Sequence, residues 1–453
     1  MKICIIGNGS LGMFTAARIL DSDPNCDLTI IAPADRKNGA SQAAGLMLNI
    51  FSEIDAISYD MPLTKWKLKN WSKALDKWNN FFSSEGIVLN KEIYSSLGTK
   101  IYFDKNSSNN LERMSYEKLK EISANYKVSN TKGNDDNIFL PYEHSVDSRR
   151  VLKTLDDFVK AKSNLINDYV DKIKVFKNNI KVFTKLNSQE FNFEKVILAA
   201  GSKSTEILRN SELDFNFDSI PACLNGIGTA LEFFTELDYV KEHKTESILR
   251  SPNRGGTCGI HMVQRTNSIY VGASSVVTDK NLNYPRLGSV ETLLKGLKYE
   301  LGLSDLVRQS LNILSGYRPV SQDAVPIFGS IDANLFLSYG HKRDGFTWAP
   351  YLSEIINNWI IHRDNSIENN NYLSMCNPLR EQFNSFGSYE KSKDLYLLNE
   401  KFSYAQHNEE YNESIERDLI ERFEKLHKTK EFSKSVCHPE LVNINYYLLN
   451  KDN

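Results

Sequence analysis

The sequence predicts an α/β fold in which a Rossmann-like domain with a parallel sheet is interleaved with an antiparallel-sheet domain and followed by a mainly helical C-terminal extension. Three observations carry this. An apolar run from Lys2 to Ile6 meets a glycine-rich turn, and helical spacing follows from Leu11 to Leu20 without proline. A near-continuous apolar run, Lys195 to Ala200, ends at Gly201 and fits a parallel strand buried on both faces. Between about residues 220 and 277 short strand-like runs recur, including Ile260 to Val263 and Ser268 to Val271, as an antiparallel sheet requires.

Along the chain, a second strand is expected at Leu28 to Ile31, ended by Pro33, and the small-residue run Ala40 to Gly45 follows the Asn38-Gly39 turn. From Thr64 to Phe82 the spacing of Trp66, Leu68, Trp71, Leu75, Trp78 and Phe82 predicts one amphipathic helix whose aromatic stripe belongs to the core. Further helices are expected around Glu112 to Tyr126 and from Ser148 to Tyr169. Leu335 to Tyr339 reads as a short apolar run, and Trp348, Leu352, Ile355, Ile356 and Ile360 fall on one helix face. Beyond Asp364 the composition turns to Asn, Glu, Lys and Tyr, with a helix near Glu413 to Leu426, and this part is expected to pack on the outside.

At 453 residues the chain is long enough for two or three structural units and a large buried ligand. Fifty-five lysines and arginines against 57 aspartates and glutamates leave a net charge of -2, so no basic field for nucleic acid exists and no such partner is expected. Six cysteines without a CxxC pair argue against a zinc site or a disulfide framework, and the expected setting is reducing and cytoplasmic. The opening MKICIIGNG is too short for a membrane span and lacks a cleavage-site pattern, so no membrane association is expected.

Gly7, Gly9 and Gly12 form GxGxxG, with Ser10 and Leu11 inside it. The first glycine permits the tight turn, the second lets backbone approach a pyrophosphate, and the third lets helix pack against strand. The free N–H groups of the helix N-terminus then favour an anion. A dinucleotide is the expected ligand, against a glycine turn with none. The second strand, LTIIAPAD, puts Ala32 where a carboxylate usually meets the adenosine ribose; Asp35 and Arg36 are both near enough to substitute, and the sequence does not choose between them.

Three later segments sharpen this: GASQAAGLM, then VILAAGSKS, then GYRPVSQDAVPIFG followed by GHKRDGFTWAP. In order and separation the four together resemble the D-amino-acid oxidase family of flavoproteins, which includes glycine and sarcosine oxidases, over about residues 1 to 362. The resemblance implies FAD as cofactor. It implies an FAD-binding domain from residues 1–60, 142–215 and 318–362, a substrate domain from 61–141 and 216–317, and an extension at 363–453.

Residue by residue, the resemblance implies that Ser41, Gln42, Ala44, Gly45, Leu46 and Met47 pass along the diphosphate and flavin. Val170 flanks the adenine, Ala200 and Gly201 close over the dinucleotide, and Gly345, Phe346 and Thr347 sit by the flavin pyrimidine. Arg318 and Arg343 lie near a substrate carboxylate, which a guanidinium fork suits. His341 and Lys342 are placed to put positive charge near the flavin's reacting edge. His261 and Tyr317 each read either as facing the flavin or as structural.

The expected activity is oxidation of the C–N bond of a small amine or amino acid carrying a carboxylate, by hydride transfer to flavin N5, with dioxygen or another electron acceptor. Two alternatives stay open: a 2-hydroxy-acid dehydrogenase, for which His261 or His341 would serve as base, and a flavin-binding partner subunit without small-molecule turnover.

Overall fold

The computed structural model describes residues 1–81, 94–104, 107, 109–130, 137–213, 220–234, 246–255, 257–265, 268–282, 284–361, 371–380, 383–406 and 409–451. At its centre Lys2–Ile6 is flanked by Asp27–Ile31 on one side and Lys195–Leu198 on the other, all parallel. Asn164–Ile166 and Leu335–Tyr339 extend the sheet in the same sense, and Ile327–Ser330 adds an antiparallel edge. The buried strands Cys4, Ile5, Ile6 and Val196 to Leu198 show why those runs are continuously apolar: both faces are covered.

Gly7 makes the turn out of the first strand at φ +117°, a backbone state that side chains disfavour, and an added Cβ would sit 2.4 Å from the Ala199 carbonyl oxygen. Gly12 lets the helix Ser10–Ser22 lie on the strand, since a Cβ there would meet the Gly7 oxygen at 2.1 Å. Helix Ala349–Ile361 packs beside it, and Phe14 meets Trp78, Phe81 and Phe346 edge to face.

A second, eight-stranded sheet is mostly antiparallel. It gathers Thr99–Tyr102 and Asn137–Leu140 with the strands Ile248–Arg250, His261–Gln264 and Ile269–Gly272, which are separated from them in sequence. Its longest members, Cys223–Phe234 and Ser310–Ser321, pair over their full length. The second of these carries Arg318, so the expected domain boundary at that residue falls inside one continuous strand.

Several expectations need correction. The segment expected as one helix from Ser148 to Tyr169 ends its helix at Lys160, and Asn164–Ile166 joins the parallel sheet as a strand beside Asp27–Ile31. The helix expected over Thr64 to Phe82 is two, Pro62–Lys69 and Trp71–Phe81, with Asn70 between them; Phe82 lies outside the described residues. Trp78 is buried in the core, but its indole N–H also donates to the carbonyls of Phe346 at 3.1 Å and Thr347 at 3.0 Å.

The C-terminal extension is helical, with Asn371–Cys376, Tyr389–Gln406, Glu413–Leu426 and Val442–Leu449. It is not an outer coat: Tyr372, Leu373 and Cys376 sit in the main core, and Phe423, Leu426 and Val442 form a cluster that includes Val320. Among the described residues no helix is long and apolar enough to cross a membrane.

Candidate active site

The carboxyl ends of the parallel strands open on a cavity of about 730 Å3 that runs from Ala32, Asp168 and Val170 past the glycine turn to Gly228, His261 and Arg318. This is where an open parallel sheet binds its ligand. Of the residues expected to hold the cofactor, all line this cavity except Gly12, whose place is the strand-helix contact. His261, Arg318, His341, Lys342 and Arg343 line it as well.

Helix Ser10–Ser22 presents its N-terminus to the cavity with no side-chain cap and no acidic residue in its first turn. Ser41 Oγ accepts the Ser10 N–H at 3.0 Å, fixing the small-residue run against the turn. Gly201, at φ +60°, would carry a Cβ into open space, so this glycine answers to backbone conformation. Gly45 has a different reason: a Cβ there would meet the Tyr270 ring at 2.4 Å, so its missing side chain admits a sheet tyrosine.

At the ribose end the two candidates, Asp35 and Arg36, are both engaged by other groups of the protein. Asp35 is exposed and accepts the Lys37 N–H at 3.1 Å. Arg36 is ion-paired with Asp156 and donates through Nε to the Asn8 carbonyl at 2.8 Å. Asp168 lines the cavity, but its carboxylate already accepts the N–H groups of Tyr169, Leu186 and Asn187, whose hydrogen bonds hold it below the usual range despite desolvation.

At the opposite end the two expected arginines differ sharply. Arg343 donates to Cys258 Sγ at 2.8 Å and pairs with Glu53 at 3.0 Å, with Asp55 at 3.8 Å. Its charge is already balanced, because guanidinium and carboxylate were buried together. Burial opposes ionisation of Glu53, but Arg343 and Arg250 outweigh it and hold the carboxyl well below the usual range. Among the described residues Arg318 makes one hydrogen bond, from Nη1 to the Ser274 carbonyl at 2.9 Å. It lies over Gly228 and has no carboxylate partner among the described residues.

The expected positive charge at His341 and Lys342 is corrected. Burial, with help from Lys67, pushes the His341 imidazole down to about 3, so it is neutral at ordinary pH. Lys342 is ion-paired with Glu440 of the C-terminal extension, which cancels its charge. His261 is likewise buried, its Nδ1 donating to the Gly259 carbonyl at 3.1 Å, and burial and Arg250 push it to about 3. Tyr317 donates its hydroxyl to the Leu282 carbonyl at 2.7 Å and lines the cavity.

Several site residues carry no sequence signal. Glu53 and Asn49 stand in NIFSEID, which matches no motif, yet both line the cavity. Glu143 holds that loop in place by accepting the N–H groups of Ile50 at 2.7 Å and Ser52 at 3.1 Å. Cys258, in the loop before His261–Gln264, and Tyr270, on Ile269–Gly272, reach the site only because the second sheet folds over it.

The family model for DAO, FAD dependent oxidoreductase, matches residues 2–359. The chain belongs to this family. Among solved structures it is similar to iminodiacetate oxidase from Chelativorans sp. BNC1, at 16% identity and TM-score 0.61 over 80% of this chain and 95% of that one. Glycine oxidase from Bacillus cereus matches at 16% identity and TM-score 0.59, over 80% and 96% of the two chains. An L-α-glycerophosphate oxidase from Mycoplasma pneumoniae with FAD bound matches at 16% identity and TM-score 0.59, over 78% and 92%. At these identities the likeness is one of fold. A search of curated protein sequences found no match.

The protein is thus an FAD-dependent oxidoreductase, and its own residues fit FAD. The cavity is elongated past an uncapped helix N-terminus, and Gly7 and Gly9 keep side chains out of the approach to it. Histidines pushed to about 3 and a guanidinium without a carboxylate partner among the described residues line the far end.

Proposed function

We propose that this flavoenzyme oxidises the C–N bond of a small amine or amino acid carrying a carboxylate. The observation that carries the reading is Arg318: a guanidinium at the reaction end of the cavity, oriented by Ser274 and left without a carboxylate partner among the described residues. A substrate carboxylate supplies that partner and gains charge-assisted hydrogen bonds. The division into FAD-binding and substrate parts belongs to the same reading, with Arg318 on the strand that joins them.

Arg318 would hold the carboxylate and so fix the adjacent carbon. His261, Tyr270 and the Arg343–Glu53 pair wall the site and limit water. The amine nitrogen gives up its proton before its lone pair can form the C=N bond as the hydride leaves carbon. FAD, when bound, supplies the two-electron acceptor for that hydride. The imine product is then hydrolysed by water to a carbonyl compound and an amine or ammonia. The hydroxy-acid alternative needs a base for the hydroxyl proton, and His261 and His341, both pushed to about 3, are weak ones.

The test is anaerobic bleaching of the FAD-loaded protein with glycine, sarcosine, D- and L-amino acids, proline-like amines and 2-hydroxy acids. Bleaching by one or more carboxylate-bearing amines is expected, and admitting air then reports whether dioxygen is the acceptor. Bleaching by 2-hydroxy acids alone would reject the reading. Bleaching by none, with a stably bound partner protein, would favour the partner-subunit alternative.

A further inference from the structure

Arg265 stands in the turn between the strands His261–Gln264 and Ile269–Gly272, its N–H donating to the Ser268 carbonyl at 2.8 Å. The side chain is buried, and its fork is held from two sides. Nη1 donates to the buried Glu232 carboxylate at 2.8 Å, and Nη2 donates to the Ala44 carbonyl at 2.9 Å. Glu232 also accepts Ser268 Oγ at 2.8 Å and Arg149 Nη2 at 2.7 Å; burial opposes its ionisation, but these donors and Arg265 outweigh it and hold the carboxyl below the usual range. The Tyr270 ring lies 4.8 Å from the guanidinium and fills the space that Gly45 leaves. Its hydroxyl donates to the Ala43 carbonyl at 3.2 Å and receives the Gly45 N–H.

The run gripped in this way is a wall of the main cavity, lined by Ala43, Ala44, Gly45 and Leu46. Leu46 stands at φ +48°, a backbone state that its side chain disfavours and that persists only where the surroundings over-determine it. Its carbonyl accepts the Val146 N–H at 2.9 Å, and Ser148 Oγ approaches the Ala44 carbonyl at 3.5 Å. A guanidinium is a rigid planar fork, so fixing Nη1 on Glu232 fixes where Nη2 can hold a carbonyl. An ammonium could keep the ion pair but has no second arm of set geometry.

We propose that Arg265 and Tyr270 are positioning residues: by gripping the Ala44 and Ala43 carbonyls they set the shape of the cavity wall at residues 43–46 against which FAD lies, with Glu232 fixing the guanidinium. This rests on that run facing FAD. The fit of the cofactor is then governed in part from the second sheet, by side chains 221 and 227 positions along the chain from the carbonyls they hold.

The test uses the full chain loaded with FAD. Arg265→Lys keeps the charge and the partner for Glu232 but gives up the fork, and Tyr270→Phe keeps the ring that Gly45 admits but gives up the hydroxyl. In each variant amide hydrogen exchange at residues 43–48 should quicken about tenfold, the worth of one hydrogen bond, while the rest of the second sheet keeps its rate. The rate at which FAD leaves on dilution, followed by flavin fluorescence, should rise by a similar factor, and the visible band of the bound flavin should shift. Unchanged exchange at residues 43–48 in either variant would overturn that residue's role, as would exchange quickened equally throughout the second sheet. Quickened exchange at the run with an unaltered FAD release rate and spectrum would instead take the run out of contact with FAD, and the proposal would fall with it. No measurement uses a substrate, so none turns on amine oxidation.

Discussion

Replacing Gly228 by alanine tests the placement of Arg318 without touching its charge. Gly228 lies in the strand Cys223–Phe234 opposite Gly316, and an added Cβ would stand 2.5 Å from Arg318 Cζ and Nη2 and 2.6 Å from Nη1. Ordinary contact is about 3.5 Å, so the guanidinium must withdraw by about 1 Å. That breaks its hydrogen bond to the Ser274 carbonyl, now 2.9 Å. A displacement of about 1 Å at a positioning group costs on the order of a hundredfold, or about 2.7 kcal/mol in kcat/KM. Most of it should appear as a raised KM for carboxylate-bearing amines in stopped-flow flavin reduction. FAD content and Tm should hold, because the glycine's φ is one alanine adopts and the clash is with a side-chain end. Arg318→Ala should be at least as damaging, and adding Gly228→Ala to it should cost nothing more. An unchanged KM in Gly228→Ala would refute the role given to Arg318.

Three other outcomes are expected. Gly7→Ala combines a φ of +117° with a Cβ 2.4 Å from the Ala199 oxygen, and should yield protein largely without FAD, read from the ratio of 450 to 280 nm absorbance, roughly the range of flavin and aromatic bands; full occupancy would remove this turn from the cofactor site. The rate of flavin reduction should rise with pH along a single limb set by the substrate amine, because His261 and His341, held at about 3, are neutral throughout; a second limb near pH 6 to 7, about the ordinary histidine range, would show that one of them titrates. His261, His341 and His438 all fall from 6.5 to about 3 on folding, so the unfolded chain binds more protons in that window. Their contribution is complete above pH 6.5 and is lost as pH drops toward 3, by up to about 1.4 kcal/mol per pH unit for each. Urea midpoints that stay level from pH 7 to about 5 would contradict this burial.

The strand–turn–helix unit at the cavity was legible because its needs are local. A glycine at a positive φ, another that lets helix lie on strand and an apolar strand before them are contiguous in sequence, so Lys2 to Ile6, Gly7 and Gly12 could be read directly. Where a residue's reason lay elsewhere in the chain, its sequence neighbourhood carried no sign of it. Gly45 is small for Tyr270, and Ser148 to Tyr169 breaks into helix and strand because Asp27–Ile31 offers an edge to pair with. Arg318 and Arg343 look alike in their motifs, and only the network of Glu53, Asp55 and Cys258 separates them.

By itself, then, the sequence determined the α/β class, the family resemblance and the dinucleotide turn, since backbone conformation and strand burial leave their mark on neighbouring residues. The tertiary structure decided which charges have no ion-pair partner among the described residues and which are cancelled. It also brought Tyr372 and Glu440, from an extension that looked peripheral, against His341 and Lys342. Charge balance depends on what lies within a few ångströms in space, and spacing along the chain carries no record of that.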